Sequence, residues 1–193
     1  MKKYIFILFA ATILLSFTDS EPKGLQLGEL APNFTALNQD SKQINLHEML
    51  KSGPVLLLFY RGEWCPYCNK QLKQLEDSLS YITKKGAKVI AVSPEKHENI
   101  IKTIKKTNAS YSVVSDENTS IMNAYKVNFE LDSIAKIKYK GYGIDLNDRN
   151  GTNGYNLPVP AVYIINKEGR ITYRYFDTDY KKRASVQEII NHL

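Results

Sequence analysis

Val55-Leu56-Leu57-Leu58-Phe59-Tyr60 runs without a break into Arg61-Gly62-Glu63-Trp64-Cys65-Pro66-Tyr67-Cys68, and this stretch decides how the rest of the 193-residue chain is read. A continuous apolar run of this length fits a strand covered on both faces, as a parallel sheet requires. Both cysteines of the chain follow it directly. Beyond them Leu72, Leu75, Leu79 and Ile82 recur at spacings of three and four, which predicts one amphipathic helix ended by Gly86 in a left-handed cap. The strand therefore feeds a helix whose first turn carries both sulfurs.

Working outward, the same alternation continues. Asn33–Leu37 and Gln43–Leu46 alternate apolar and polar residues around the turn chemistry of Asn38–Ser41, an N-terminal β-hairpin. Gly86 is followed by the buried-strand run Val89–Val92, then by Ile100, Ile101 and Ile104 in a helix from about Glu95 to Asn108. Tyr111–Val114 reads as a short strand and Asn118–Tyr125 as a short helix. Ala161–Ile165 and Ile171–Phe176 flank Asn166-Lys167-Glu168-Gly169 as a closing hairpin, and Val186, Ile189 and Ile190 mark a last helix. The result is an α/β domain with a mixed central sheet flanked by helices. Lys126–Pro158, rich in Gly, Asn, Asp and Tyr, interrupts the pattern before the last hairpin, too long for a plain connection. It is expected to carry local structure or to cover a site, with some of its tyrosines as walls.

The first residues read as an address label. Met1-Lys2-Lys3 is a positive start, Tyr4–Phe17 is apolar and uncharged, and Thr18-Asp19-Ser20 supplies small residues for cleavage. That is the layout of a secretory signal, placed here at residues 1–20 with the domain at 21–193. No cysteine stands near its end to take a lipid. The mature chain is then expected outside the cytoplasm, periplasmic or otherwise extracytoplasmic, without stable membrane insertion.

Composition narrows the function. The chain is 43% hydrophobic and 24% charged, as globular domains are, and a chain of this size buries about 70% of its unfolded surface without disulfide staples. The formal charge of +6 comes from dispersed lysines and arginines interleaved with acids, such as Lys84-Lys85, Lys105-Lys106 and Lys181-Lys182-Arg183. A nucleic-acid stripe would cluster them among stacking aromatics, so no nucleic-acid partner is expected.

The cysteines are therefore free for chemistry. A helix N-terminus offers unpaired N–H groups and about half a positive charge, both of which stabilise a thiolate. Pro66 suits the first turn, where its missing N–H would be unpaired anyway. A structural bridge closing so short a loop adds little stability through chain entropy. Zinc would need two more ligands, yet His47, His97 and His192 are scattered and no second cysteine pair exists. No metal or organic cofactor is expected. A redox dithiol, bridged and reopened by thiolate attack, accounts best for Cys65 and Cys68.

The segment Phe59–Cys68 resembles the active-site segment of the peroxiredoxin-like group within the alkyl hydroperoxide reductase/thiol-specific antioxidant family. The resemblance spans nearly all of the mature chain. Gly28–Phe34 is similar to the family's opening strand, and Tyr142–Leu146, Leu157–Ala161 and Phe176–Tyr180 are similar to its later signatures. It implies a thioredoxin-like fold, thiol-based peroxide or disulfide chemistry, and a thiol electron donor, either a thioredoxin-like protein or a small thiol. Ordinary family members carry Thr or Ser three residues before the attacking cysteine. That position is Cys65 here, with Cys68 in the attacking place, while Arg61 stands where the motif's proline does and Pro160 where a later arginine does. In thioredoxins the corresponding positions hold the first cysteine of a pair and a cis-proline, so the resemblance also raises the expectation of a cis Val159–Pro160 bond.

Two mechanisms stay open on sequence. Cys68 attacks a peroxide and Cys65 resolves the sulfenic acid, or Cys65, as the more exposed and acidic thiol, attacks a partner's disulfide and Cys68 releases it. Arg61 is the candidate electrostatic helper in either case. Trp64, Pro66, Tyr67, Val159 and Pro160 are the expected walls of the substrate site, Trp64 chiefly by packing. Glu63 is expected to be solvated. Arg170, Arg174, Asp177 and Asp179 are expected to form a polar face of the last hairpin.

Overall fold

The computed structural model describes residues 21–193, so the secretory signal read at residues 1–20 lies outside the described residues. Thr35–Leu37 (β1) and Gln43–Asn45 (β2) pair antiparallel, as the hairpin reading requires. A helix not anticipated from the sequence, Leu46–Leu50 (α1), follows at once, capped by Asn45, whose side chain accepts the Glu48 N–H. Its Leu46 and Leu50 are both buried. The central sheet is built from Val55–Phe59 (β3), Lys88–Ser93 (β4), Ser112–Ser115 (β5), Ala161–Ile165 (β8) and Ile171–Phe176 (β9). Its spatial order is β5-β4-β3-β8-β9, with β3, β4 and β5 parallel and the β8–β9 hairpin antiparallel to them.

Every residue of β3 is buried, because the strand is central and both faces are covered. Leu56 and Leu58 point with Val89, Ala91 and Ile164 toward the long helices. Val55, Leu57 and Phe59 point the other way, with Ile90, Val92 and Tyr163, toward α1 and the N-terminal segment. The period of two that sends alternate side chains to opposite faces thus gives β3 two cores at once.

Pro66–Asp77 (α2), Leu79–Lys84 (α3), His97–Thr107 (α4) and Val186–Asn191 (α8) cover the first face. The single helix expected over Leu72–Ile82 is broken at Ser78, whose φ of −108° and ψ of 5° leave the helical region. The apolar spacing survives because Leu75 and Ile82 still reach the same core. Asn108 caps α4 in the left-handed region, at φ 58°, where the expected helix end falls. Ser120–Ala124 (α5) packs on the second face through Ile121 and Met122.

The long interruption before the last hairpin has structure of its own. Asn128–Glu130 (β6) pairs antiparallel with Asn156–Pro158 (β7), and between them lie Ser133–Gly141 (α6) and Leu146–Asn150 (α7). Leu131, Leu146 and Leu157 form a small third core under them. Gly28–Phe34 is not a strand. Leu30 alone makes a bridge, to Arg170, although backbone bonds also tie Gly28 and Glu29 to Ile171 and Ala31 to Gly169. The Arg170 and Arg174 side chains add bonds to the carbonyls of Gly28, at 2.9 Å, and of the preceding Leu25, at 2.8 Å. These arginines are therefore clamps on the N-terminal segment and not merely a polar face. Among the described residues no helix is long and apolar enough to cross a membrane.

Candidate active site

Cys65 ends the loop after β3 and is the N-cap of α2, with Pro66 at the first helical position. Its Sγ accepts the backbone N–H of Cys68 at 3.4 Å, so a sulfur takes the place that a serine or aspartate oxygen usually fills. Both thiols are unbridged and both are fully buried, which corrects the expectation that Cys65 is the exposed member of the pair. The cover is local: Arg61 lies across Cys65, with Trp64 and Tyr180 against its guanidinium.

Arg61 is 4% exposed, far from the surface arginine its position at a strand end allows. It donates to Cys65 Sγ at 3.4 Å and to the Tyr139 hydroxyl at 2.7 Å. Its guanidinium carbon stands 3.7 Å from the centre of the Tyr180 ring and 5.0 Å from that of Trp64. A cation boxed by aromatic faces in this way keeps a fixed aim. Tyr139 comes from α6 and packs edge-on against Trp64, so the insertion supplies one wall of the site.

The two sulfurs have opposite electrostatics. The Cys68 thiol donating to Cys65, the Arg61 guanidinium and the Cys68 N–H together outweigh burial and bring the Cys65 thiol down to about 5. Cys68 is pushed well above the ordinary thiol range, first by burial and then by the neighbouring Cys65 sulfur. Arg183, which donates to Cys68 Sγ at 3.6 Å, opposes that rise only in part. The pair is therefore one thiolate beside one thiol, able to be oxidised at the first sulfur and closed by the second.

Beneath the dithiol lies an ion network that a solvated Glu63 would not form. Glu63 is 5% exposed and is ion-paired with both Lys106 of α4 and Arg149 of α7. Burial alone would raise its carboxyl pKa, but Lys106 and Arg149 hold it below the usual range. Glu95 is fully buried, and its Oε2 accepts the Glu63 N–H at 2.8 Å. Burial is the main cause that moves Glu95 up to about 8. Gly62 allows this packing, since a Cβ there would stand 2.4 Å from Trp64 Nε1 and 2.6 Å from Glu95 Oε1.

A groove of about 1240 Å³ opens beside the dithiol. Arg61, Trp64, Pro66, Tyr67, Val159 and Pro160 line it, so the structure gathers the residues expected to wall a substrate site. Val159 and Pro160 sit where β7 leads into β8, and the Val159–Pro160 bond is trans, contrary to the cis bond the resemblance implies. The extended path fits its surroundings: β7 is held by β6, and Val159 N–H donates to Val127 O at 2.8 Å. Sequence reasoning missed Glu95, Lys106, Arg149 and Arg183 as parts of this centre. Tyr139 carried the one usable signal, its place in a tyrosine-rich insertion.

A family model described as the AhpC/TSA family matches residues 27–174. Peroxiredoxin Q, chloroplastic, of Triticum aestivum is 30% identical over 77% of this chain and 58% of its own length. Thiol-disulfide oxidoreductase ResA of Bacillus cereus is 30% identical over 86% of this chain and 78% of its own length. The chain thus spans little more than half of the wheat relative and about three quarters of the bacillar one. The crystal structure of peroxidoxin BcpB from Mycobacterium tuberculosis superposes with a TM-score of 0.67 at 16% identity, covering 87% of this chain and 96% of that one. That likeness shows the thioredoxin-like fold. With the family match covering most of its length, the chain belongs to the AhpC/TSA family.

Proposed function

We propose that the protein is a thiol-dependent peroxidase in which Cys65 is the attacking sulfur and Cys68 the resolving one. The observation that carries this reading is Arg61, whose two terminal nitrogens donate to Cys65 Sγ and to the Tyr139 hydroxyl. They place positive charge beside both the thiolate and the oxygen that would leave it. The Cys65 thiolate attacks the terminal oxygen of a hydroperoxide, the O–O bond breaks, and the departing alkoxide takes a proton to leave as an alcohol. Cys65 becomes a sulfenic acid, the Cys68 sulfur displaces its oxygen as water, and a disulfide forms. A thiol donor, a thioredoxin-type protein or a small thiol, returns two electrons by exchange. The family correspondence puts Cys68 in the attacking place. Its raised pKa beside the lowered one of Cys65 favours the reverse assignment. Sulfur buried behind Arg61 also suits a slim peroxide end better than the in-line approach of a protein disulfide.

Reduction of protein disulfides, with the same two sulfurs in the same order, is the second reading, and the size of the groove favours it. The deciding experiment is single-turnover oxidation of the reduced protein by hydroperoxide. Cys68→Ser is expected to consume one equivalent and hold a sulfenic acid that dimedone traps, whereas Cys65→Ser consumes none. A reaction no faster than that of free cysteine ends the peroxidase reading. Insulin-type disulfide reduction abolished by Cys65→Ser would then establish the second. We also propose that residues 1–20 are a secretory signal and that the enzyme works outside the cytoplasm. A mature N-terminus found at Glu21 in an extracytoplasmic fraction tests this.

A further inference from the structure

The three most exposed large apolar side chains among the described residues are Ile134 at 80%, Ile137 at 75% and Tyr142 at 69%, and all lie on α6 or at its C-cap. Isolated exposed leucines or tyrosines occur on any surface; three grouped on a single helix call for a partner. Ile134 and Ile137 are three residues apart and share the outward face. Helical spacing sets Lys138 to one side of them and Lys140 to the other. The inward face is occupied, with Ala135 and Tyr139 packed against the small core of Leu131, Leu146 and Leu157.

Charge on this side of the molecule is lopsided. Lys136 alone of the α6 lysines has an ion-pair partner among the described residues, Glu130. Asp132 is spent on capping the helix, where it accepts the Ala135 N–H at 2.7 Å. The adjoining groove carries Lys23, Lys126 and Lys138 at its walls and Arg61 at its floor, against Glu21 and the paired Glu130. The surface is thus a convex apolar ridge with cations on both flanks.

From this we propose that α6 docks on an anionic lipid surface, with Ile134 and Ile137 entering the acyl boundary and Lys138 and Lys140 at headgroup level. Long lysine stems suit that position, since they lie along apolar surface while their ammonium groups stay wet. A second copy of the chain fits less well. A two-fold contact would set lysine against lysine, and three apolar side chains fall far short of the ~800 Å² per partner that a stable protein interface buries. A bilayer needs no complementary pocket, because lipids conform to a convex ridge. The proposal stands apart from the dithiol chemistry. It would place the mouth of the groove, which Lys138 and Tyr142 also line, at the lipid surface.

The test uses the full chain with Ile137→Trp, an exposed position where the new indole disturbs no packing, and the parent protein as the fluorescence background. Vesicles of brominated phosphatidylglycerol are expected to quench the added emission several-fold and shift it to the blue. Vesicles of brominated phosphatidylcholine are expected to leave it unchanged. Adding Lys138→Glu and Lys140→Glu to the reporter chain is expected to abolish the quenching, with the circular dichroism spectrum unaltered. Because the probe reports its own position, insertion of another segment cannot mimic the result. No quenching in either lipid overturns the proposal, as does equal quenching in both. A blue shift that rises with protein concentration in the absence of lipid also overturns it and assigns the ridge to self-association.

Discussion

The Arg61 guanidinium and the Tyr139 hydroxyl meet at 2.7 Å, across 78 residues of sequence, with the Cys65 sulfur on the other terminal nitrogen of the same arginine. The contact joins the loop after the central strand to a helix of the insertion. It makes the ionisation of Cys65 depend on a segment that carries no redox chemistry of its own.

Replacing Arg61 tests that dependence directly. Arg61→Met keeps an unbranched, apolar stem and removes the guanidinium and its charge. The Cys65 thiol is then expected to rise from about 5 toward the ordinary thiol value, read from ultraviolet thiolate absorbance during a pH titration. Peroxide turnover at neutral pH is expected to fall by about tenfold or more, the range for loss of one such donor being ~10²–10³ where it acts fully. Tyr139→Phe is expected to lower turnover less, since it frees the aim of Arg61 and leaves its charge in place.

The pH dependence of stability follows from the same sulfur. The folded pKa of Cys65, about 5, lies below the unfolded thiol value of roughly 8.5. A depressed acid contributes stability that is present above the unfolded value and is lost as pH falls through the folded one. Measured against Cys65→Ser, which keeps every other titrating group, reduced protein is therefore expected to lose urea resistance as pH falls from about 8.5 to about 5.

Glu95 acts in the opposite sense. Its folded pKa, about 8, lies above the usual carboxyl value of roughly 4.3. The stability it contributes is complete below the lower value and is lost as pH rises through the upper one. Glu95→Gln keeps the shape and removes the titration, so the variant is expected to gain on the parent in urea midpoint between about pH 4.3 and pH 8. Glu63→Gln removes the shared partner of Lys106 and Arg149. It is expected to cost about 2 kcal/mol by urea unfolding, less than a fully buried pair because Lys106 is half exposed.

Gly62 is expected to tolerate no side chain. In Gly62→Ala the new Cβ would overlap Trp64 Nε1 and Glu95 Oε1, so the cost is expected near 1–3 kcal/mol, the range for overpacking a filled site. The same variant is expected to raise the Cys65 pKa, because the loop that carries the sulfur must shift. Thermal unfolding and thiolate titration check the two effects separately.

What the sequence made legible was what short-range pattern encodes. The apolar run at Val55–Tyr60, the sulfurs at the start of α2 and the close of α4 at Asn108 each depend on neighbours a few residues away. The break at Ser78 was hidden because Leu75 and Ile82 keep helical spacing across it. Glu63 looked solvated because its partners lie 43 and 86 residues further on, and nothing local announces an ion pair with Lys106 or Arg149. Gly28–Phe34 was expected as a strand, yet it pairs only briefly, through backbone bonds of Gly28, Glu29 and Ala31 to Gly169 and Ile171, with the Arg170 side chain holding the Gly28 carbonyl. Arg183 reaches Cys68 from 115 residues away, and only the folded chain brings the two together.

Because the Cys65 sulfur also fastens the first turn of α2, by accepting the Cys68 N–H, its electronic state is mechanically connected to the backbone. A negative sulfur grips that amide firmly and an oxidised one grips it weakly. The helix therefore registers each electron pair gained or lost as a tightening or slackening of its own beginning.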